Sequence, residues 1–441
     1  MKNRDVDKDD IKAIIASLKK DYYNYKAKFL DFMSDDKKRK LMIVLFMALS
    51  VVLRVIFTIL KNSIDQTLFL TPWVEAYSKL SFKEAMNSNI TNYNIPYNII
   101  LFAISKLPGK SGWWISLVSC IFDYLMLYFV YKVIIYIKEN GVFFSTKKED
   151  DSKTQGEKTT ILDNKKLSKF DKELFFFFTV LLSFLPFIIY DSAIWKQCDS
   201  IYACFIVISV YYFLKKKHFL SFLFLGISLA FKLQAIFIFP AYAIILFMIN
   251  KKALFGFLLT PIIFLLFDLP GLLVMNNFKD ALSIYKTQVN YYSSLEMGYP
   301  DIFAILPDIN QLRTPAIILT FVLLFALFIF VLIKKPDFNI NFTLLFIGWT
   351  IFTIVFFLPS MHERYDYTYV MLLSIYYIFI ECRPKLITAI NFISLCSYGS
   401  FLLMFTLPLR LLFIFNLICY IYVTKDVFNY INNHNKTQKG G

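Results

Sequence analysis

KKRKLMIVLFMALSVVLRVIFTIL, residues 37–60, sets four basic residues directly in front of an apolar run. A bilayer-spanning helix needs about 20 mostly apolar residues, and Lys and Arg gather on its cytoplasmic side. The stretch therefore reads as a membrane anchor entering from inside, with residues 1–40 as a cytoplasmic segment. Those first 40 residues are polar and charged and hold no cleavable signal, so the anchor at 41–60 is retained.

The pattern repeats along the chain. Apolar runs fall near 41–60, 114–136, 173–190, 200–214, 219–231, 235–249, 253–274, 315–333, 342–359, 368–380, 385–405 and 407–423. The 441 residues are 58% hydrophobic and 18% charged, with 50 Phe and 28 Tyr, far beyond what a soluble core needs. The fold class expected is an all-α polytopic membrane protein with about twelve transmembrane helices, occupying 41–424. A net charge of +15 would suit nucleic acid, but the lysines lie in short clusters between apolar runs, as topology determinants do. No nucleic-acid partner is expected. The six cysteines lie mostly inside apolar runs without metal-ligand spacing and read as small buried residues.

With residues 1–40 inside, every second loop should be basic. Lysines crowd 137–171, then KKKH at 215–218, NKK at 250–252, KK at 334–335, CRPK at 382–385 and Lys425 follow, all on the inner side. The tail, 425–441, is inside as well. PYNIILFAISKL (96–107) is too short to cross, and counting it as a span would turn the 137–171 insert outward. Residues 61–112 therefore read as a long first outer loop carrying juxtamembrane helices. Polar 137–171 reads as a flexible cytoplasmic insert, and aromatic-rich 275–313 as a second long outer loop.

The unusual polar residues sort to the outer side: Asp65 in SIDQTLFLTPW, then YDSAIWKQCDSIY (190–202), FKLQ (231–234), YKTQVNYY (285–292) and MHERYDY (361–367). Ionisable groups near membrane depth tend to mark sites. Each has a plainer reading. Asp65 reads also as a solvated loop acid, Lys232 as a snorkelling interfacial lysine, and Trp195 as part of an aromatic belt. Arg364 reads also as a lock with Glu363 or Asp366, and His362 as a hydrogen-bonded structural residue. Lys232 and Gln234, two apart and followed by Pro240, suggest a broken helix lining a cavity. Arg, Lys and His together suit a phosphate, a carboxylate opposite suits proton abstraction from a hydroxyl, and aromatics suit sugar faces. No GxxxxGK[ST], GxGxxG or HExxH motif supports nucleotide or zinc chemistry.

Five stretches, in this order between about 63 and 375, carry a resemblance: SIDQTLFLTPW with NYNIPYNIILFAI, DSAIWKQCDSIYACF, LGISLAFKLQAIFIFP, SIYKTQVNYY and LPSMHERYDY. The chain resembles the GT-C-fold glycosyltransferases that use polyprenyl-phosphate sugars, and within them the prokaryotic branch related to the second mannosyltransferase of glycosylphosphatidylinositol-anchor synthesis. The resemblance implies a GT-C-like fold, Asp65 as catalytic base of an inverting transfer, and Lys232, His362 and Arg364 around the donor phosphate. It makes Trp195, Gln197, Asp199, Gln234, Gln288, Tyr292 and Glu363 candidate substrate-binding residues. The implied partners are a polyprenyl-phosphate sugar donor, a glycan or glycolipid acceptor and membrane lipid. Family members typically have Trp-Gly-Gln where this chain has Trp195-Lys196-Gln197. Many also carry two adjacent acids in the first loop, whereas Asp65 stands alone with Glu75 ten residues on, so no cofactor and no bound metal is expected.

The expected function is transfer of a mannose-like hexose on the extracellular side of a bacterial plasma membrane. In a eukaryote the side would be the lumen of the endoplasmic reticulum, with Asn89-Ile90-Thr91 a glycosylation candidate. The rival readings are a transporter or flippase of lipid-linked sugars and a polysaccharide polymerase. A transporter predicts polar groups near mid-membrane and an internal repeat, and no repeat is visible.

Overall fold

The computed structural model describes residues 25–141, 144–145, 160–161, 166–291, 294–307, 309–402 and 407–439. The first 24 residues, most of the 137–171 insert and Tyr292 lie outside them. Nearly everything described is helix. Seven helices are long and apolar enough to cross a bilayer: Asp36–Leu60, Ser111–Asn140, Lys251–Leu272, Asn310–Lys334, Ile340–Phe357, Pro384–Leu402 and Leu409–Asn432. An eighth counts if Lys169–Leu182 and Pro186–Trp195, bent by 59° at Pro186, form one span. The chain is thus an all-α protein with multi-pass membrane character.

The other four of the twelve apolar runs form shorter helices: Asp199–Leu214, His218–Phe231, Leu233–Ile249 and Tyr367–Ile380. The 14 residues of His218–Phe231 reach only about 21 Å at about 1.5 Å each, short of a bilayer core of about 30 Å. Lysines 215–217 and Lys232 cut this region into pieces.

Burial differs sharply between the helices. The apolar window of Asp36–Leu60 is only 17% buried, whereas that of Ile340–Phe357 is 83% buried. The short Asp199–Leu214 and Tyr367–Ile375 are buried almost throughout. Asp199–Leu214, Tyr367–Ile375 and Ile340–Phe357 therefore lie in the core, and helices such as Asp36–Leu60 and Lys251–Leu272 present apolar faces outward, as lipid contact requires. In the first outer loop, Thr71–Ser78, Phe82–Met86 and Ile95–Ser105 are helical. Ile95–Ser105 packs against Thr71–Ser78 and against the helix Leu259–Leu272, so it is part of the packed body.

One polar node lies inside this apolar frame. Arg54 Nε and a terminal nitrogen each stand 3.3 Å from Asp123 Oδ2, and the guanidinium also donates to Ser50 Oγ at 2.6 Å and the Ser183 carbonyl at 3.0 Å. Ser192 Oγ donates to Asp123 Oδ2 at 2.6 Å and the Tyr367 hydroxyl to Oδ1 at 3.1 Å. Helices far apart in sequence are tied there by groups with no alternative partner in lipid.

A two-residue parallel pairing joins the second outer loop to the later polar stretch, with Glu296 opposite Met361 and Met297 opposite His362. Gly298 follows at φ +91, a conformation that L side chains avoid, and a Cβ there would lie 2.9 Å from Glu363 Oε2. The glycine lets the loop close on Glu363.

Candidate active site

Asp65 is half-buried where the helix Asp36–Leu60 gives way to the π-helical turn Gln66–Leu70. Its Oδ2 accepts hydrogen bonds from Trp195 Nε1 and Gln197 Nε2, each at 2.8 Å. Gln197 Oε1 accepts in turn from the Tyr93 hydroxyl at 2.7 Å. Oδ1 carries no hydrogen bond from any described residue. Trp195 ends a second π-helical stretch, Tyr190–Trp195, so both sides of this contact use the wider turn common at functional sites.

Lys196 makes the corner between Trp195 and Gln197. Its backbone is left-handed, φ 63 and ψ 40, a conformation that glycine adopts without cost and other residues do not. The side chain holds the corner instead: the buried Nζ donates to the Lys61 carbonyl and Gln66 Oε1, both at 2.6 Å. Burial brings the Lys196 amine down to about 8. The amine is thus spent on the loop that carries Asp65.

The second half of the site centres on Asp199, wholly buried at the start of its helix. Oδ1 pairs with Lys232 Nζ, and Oδ2 lies 3.3 Å from Arg364 Nε. Lys232 is in extended conformation (φ −153, ψ 137) between helix His218–Phe231 and a 3-10 stretch Leu233–Ile238. The helix is broken here, as the Lys232, Gln234 and Pro240 spacing suggests. The amine sits 5.5 and 5.4 Å from the Tyr202 and Tyr365 rings. The Arg364 guanidinium lies 4.9 Å over the Trp195 ring and 3.6 Å from Glu363 Oε1. Trp195 thus touches Asp65 through its N–H and Arg364 through a face, and is itself stacked on Phe401 at 4.6 Å. Asn94 braces the two halves, its Nδ2 donating at 2.8 Å to both the Ala230 carbonyl and Asp268 Oδ1.

The HERYD turn is charged but tightly paired. His362 Nδ1 is 3.7 Å from Glu363 Oε2. Burial pushes the Glu363 carboxyl up, but the His362 contact and the Arg364 charge outweigh it and leave it below its ordinary value. Burial lowers His362 despite Glu363 beside it. Asp366 is lifted by burial to about 8, with the charges of Asp199 and Glu363 pushing the same way and Ser394 opposing. A carboxyl raised in this way stabilises the fold fully below its unfolded value of 3.8, and that stabilisation is lost as pH rises through about 8. The detergent-solubilised protein should therefore lose about 1.4 kcal/mol per pH unit from this group between about pH 6 and 8, levelling off above. In Asp366→Asn that slope should be missing from thermal unfolding curves, and an unchanged slope would refute the assignment.

Two cavities open on these residues. The first, about 310 Å³, is lined by Lys232, Gln234, Gln288, Arg313 and Arg364, with Leu233, Ile236, Phe237, Val289, Ile317, Leu358 and Pro359 as apolar wall. The second, about 390 Å³, is lined by Asp65, Gln197, Trp73, Tyr291, Asn89 and Thr91, among others. Asn92, Tyr93 and Arg364 line both. Of the residues singled out from sequence, Asp65, Gln197, Lys232, Gln234, Gln288 and Arg364 reach a cavity wall. Trp195, Asp199 and Glu363 are buried and hold those residues in place. His362 and Glu75 line neither cavity, and Tyr292 lies outside the described residues. Asn89, the sequon asparagine, faces the second cavity.

Arg313, Tyr93, Asn94 and Trp73 were not singled out from sequence. Arg313 precedes an apolar run and looks there like any interfacial arginine. Tyr93 and Asn94 lie in NYNIP, beside the quoted acid loop, and only their hydrogen bonds identify them. No protein-family model matches the chain, and no curated protein does.

Proposed function

We propose that the chain is an integral-membrane glycosyltransferase, moving a mannose-like hexose from a polyprenyl-phosphate donor to an acceptor hydroxyl with inversion. The observation that carries this reading is the junction of the two cavities. One holds a carboxylate with an oxygen free of protein hydrogen bonds, the other holds cations within an apolar wall, and Arg364 and Tyr93 belong to both. An acceptor hydroxyl beside Asp65 gives its proton to Oδ1 as its oxygen bonds to the anomeric carbon. The bond from that carbon to the phosphate oxygen breaks, and the electron pair leaves with the polyprenyl phosphate. Arg364 and Lys232 meet that growing charge, while the apolar wall suits the first prenyl units. Trp73, Tyr93 and Tyr291 offer the acceptor cavity the aromatic faces that sugar rings pack against.

On this reading the membrane helices take a GT-C-like arrangement, with both termini cytoplasmic and the site outward. The membrane is the bacterial plasma membrane, or in a eukaryote that of the endoplasmic reticulum. The acceptor is a cell-envelope glycan or glycolipid. The buried Arg54–Asp123 pair is the feature a transporter would draw on. Neither residue lines either cavity, and both are occupied by fixed partners.

The test is direct. Purified protein in lipid nanodiscs is incubated with radiolabelled polyprenyl-phosphate hexoses and glycan or glycolipid acceptors. Transfer of label to an acceptor is the expected result. Failure with every donor, together with passage of lipid-linked sugar across proteoliposomes, would overturn the reading in favour of transport.

A further inference from the structure

Three cations line the first cavity, Lys232, Arg364 and Arg313, and among the described residues no carboxylate does. Two of them are neutralised from behind. Lys232 and Arg364 share Asp199, and Arg364 has Glu363 as well. Arg313 differs: among the described residues no carboxylate lies within ion-pair distance of it. One terminal nitrogen donates to the Val289 carbonyl at 2.5 Å, and Nε is buried without a partner. A half-buried guanidinium with donors unspent and no counter-ion carries a desolvation cost that a ligand anion would remove. Gln234 Oε1, at the wall of the same cavity, is also buried without a partner and would accept from a ligand hydroxyl.

The geometry points to Arg313 as a phosphate-binding residue of the donor cavity. It would fork onto the phosphate of a lipid-linked phosphosugar, completing a cradle with Lys232 and Arg364 on the wall of the same cavity. A planar guanidinium matches two phosphate oxygens at once, which an ammonium cannot do. Arg313 starts the helix Arg313–Lys334, and its carbonyl partner Val289 belongs to the helix Phe278–Tyr291. Seating the phosphate there would therefore also hold Phe278–Tyr291 against the cavity mouth. The inference rests on the glycosyltransferase reading, and its test separates the two.

Arg313→Gln and Arg313→Lys are compared with the parent in zwitterionic nanodiscs. The first readout is direct binding of a short-chain polyprenyl monophosphate, with inorganic phosphate and anionic-lipid nanodiscs as competitors. The second is steady-state transfer. Arg313→Gln should weaken polyprenyl monophosphate binding roughly 10- to 100-fold, the range for loss of charge-assisted hydrogen bonds. It should raise the donor KM by a similar factor and leave the acceptor KM unchanged. Arg313→Lys should recover part of the loss. Competition by inorganic phosphate in the parent, weakened in Arg313→Gln, would support a phosphate ligand. Competition by anionic lipid alone would overturn the proposal in favour of an ordinary headgroup contact. Binding by Arg313→Gln equal to the parent would overturn the role of Arg313 and leave the glycosyltransferase reading standing. A parent that binds no polyprenyl phosphate would overturn both.

Discussion

Asp65→Asn should slow sugar transfer roughly 10²- to 10⁴-fold, the contribution of a positioned general base, without unfolding the protein. The geometry separates these two effects. Trp195 and Gln197 both donate to Oδ2, and an amide oxygen at that position accepts both equally well. The other oxygen, to which no described residue donates, becomes an NH₂ that cannot take a proton. The variant should therefore keep its thermal stability and its binding of polyprenyl phosphate while losing turnover. The rate is measured at saturating donor and acceptor, with Glu75→Gln, which lines neither cavity, as the unaffected control. Transfer at the parent rate in Asp65→Asn would sink the assignment of the base.

The largest stability effect is expected at Asp123. Asp123→Ala leaves Arg54 charged, fully buried and short of its counter-ion, and strands Ser192 and Tyr367 as well. Breaking one side of a buried pair costs about 3–5 kcal/mol, a large part of a marginal total stability. Little monodisperse protein should survive detergent extraction, and what survives should melt well below the parent. Exchanging both partners, as in Arg54→Met with Asp123→Leu, removes the unpaired charge and should recover much of the loss. A single variant as stable as the parent would show that the node holds nothing together.

Apolar run length carried most of the fold. Among the described residues each of the twelve runs is mainly helical, and 96–107 is a short helix of 11 residues, Ile95–Ser105. What run length could not carry was depth. A run of 13 or 15 apolar residues bounded by lysines looks the same as a short span and as a half-buried core helix, and sequence alone does not show that His218–Phe231 packs against Asp199–Leu214 and Leu259–Leu272. The gathering of Asp65, Gln197, Lys232 and Arg364 was legible because polar residues at the ends of oily segments stand out. Arg54 and Asp123 were not, since each is a lone charge inside a long apolar run and its partner lies 69 residues away. Arg313 was hidden by the same ambiguity at a helix end, and only the cavity it lines distinguishes it.

The polar contacts of the site also trace the chain's round trips. Asp65 is hydrogen-bonded to Gln197, Asp199 is hydrogen-bonded to Lys232 and ion-paired with Arg364, and Glu296 is laddered to Met361. Bonded atoms share a depth, so each stretch between them leaves that level and returns to it. Arg313–Lys334 and Ile340–Phe357 form one such excursion, and Asp199–Leu214 with His218–Phe231 forms another. In each of these two pairs the first helix carries the chain away from the site and the second brings it back. Evolution could add or drop such a helix pair and keep the site whole. Gaining or losing a single helix of such a pair would carry one wall of it away from the others.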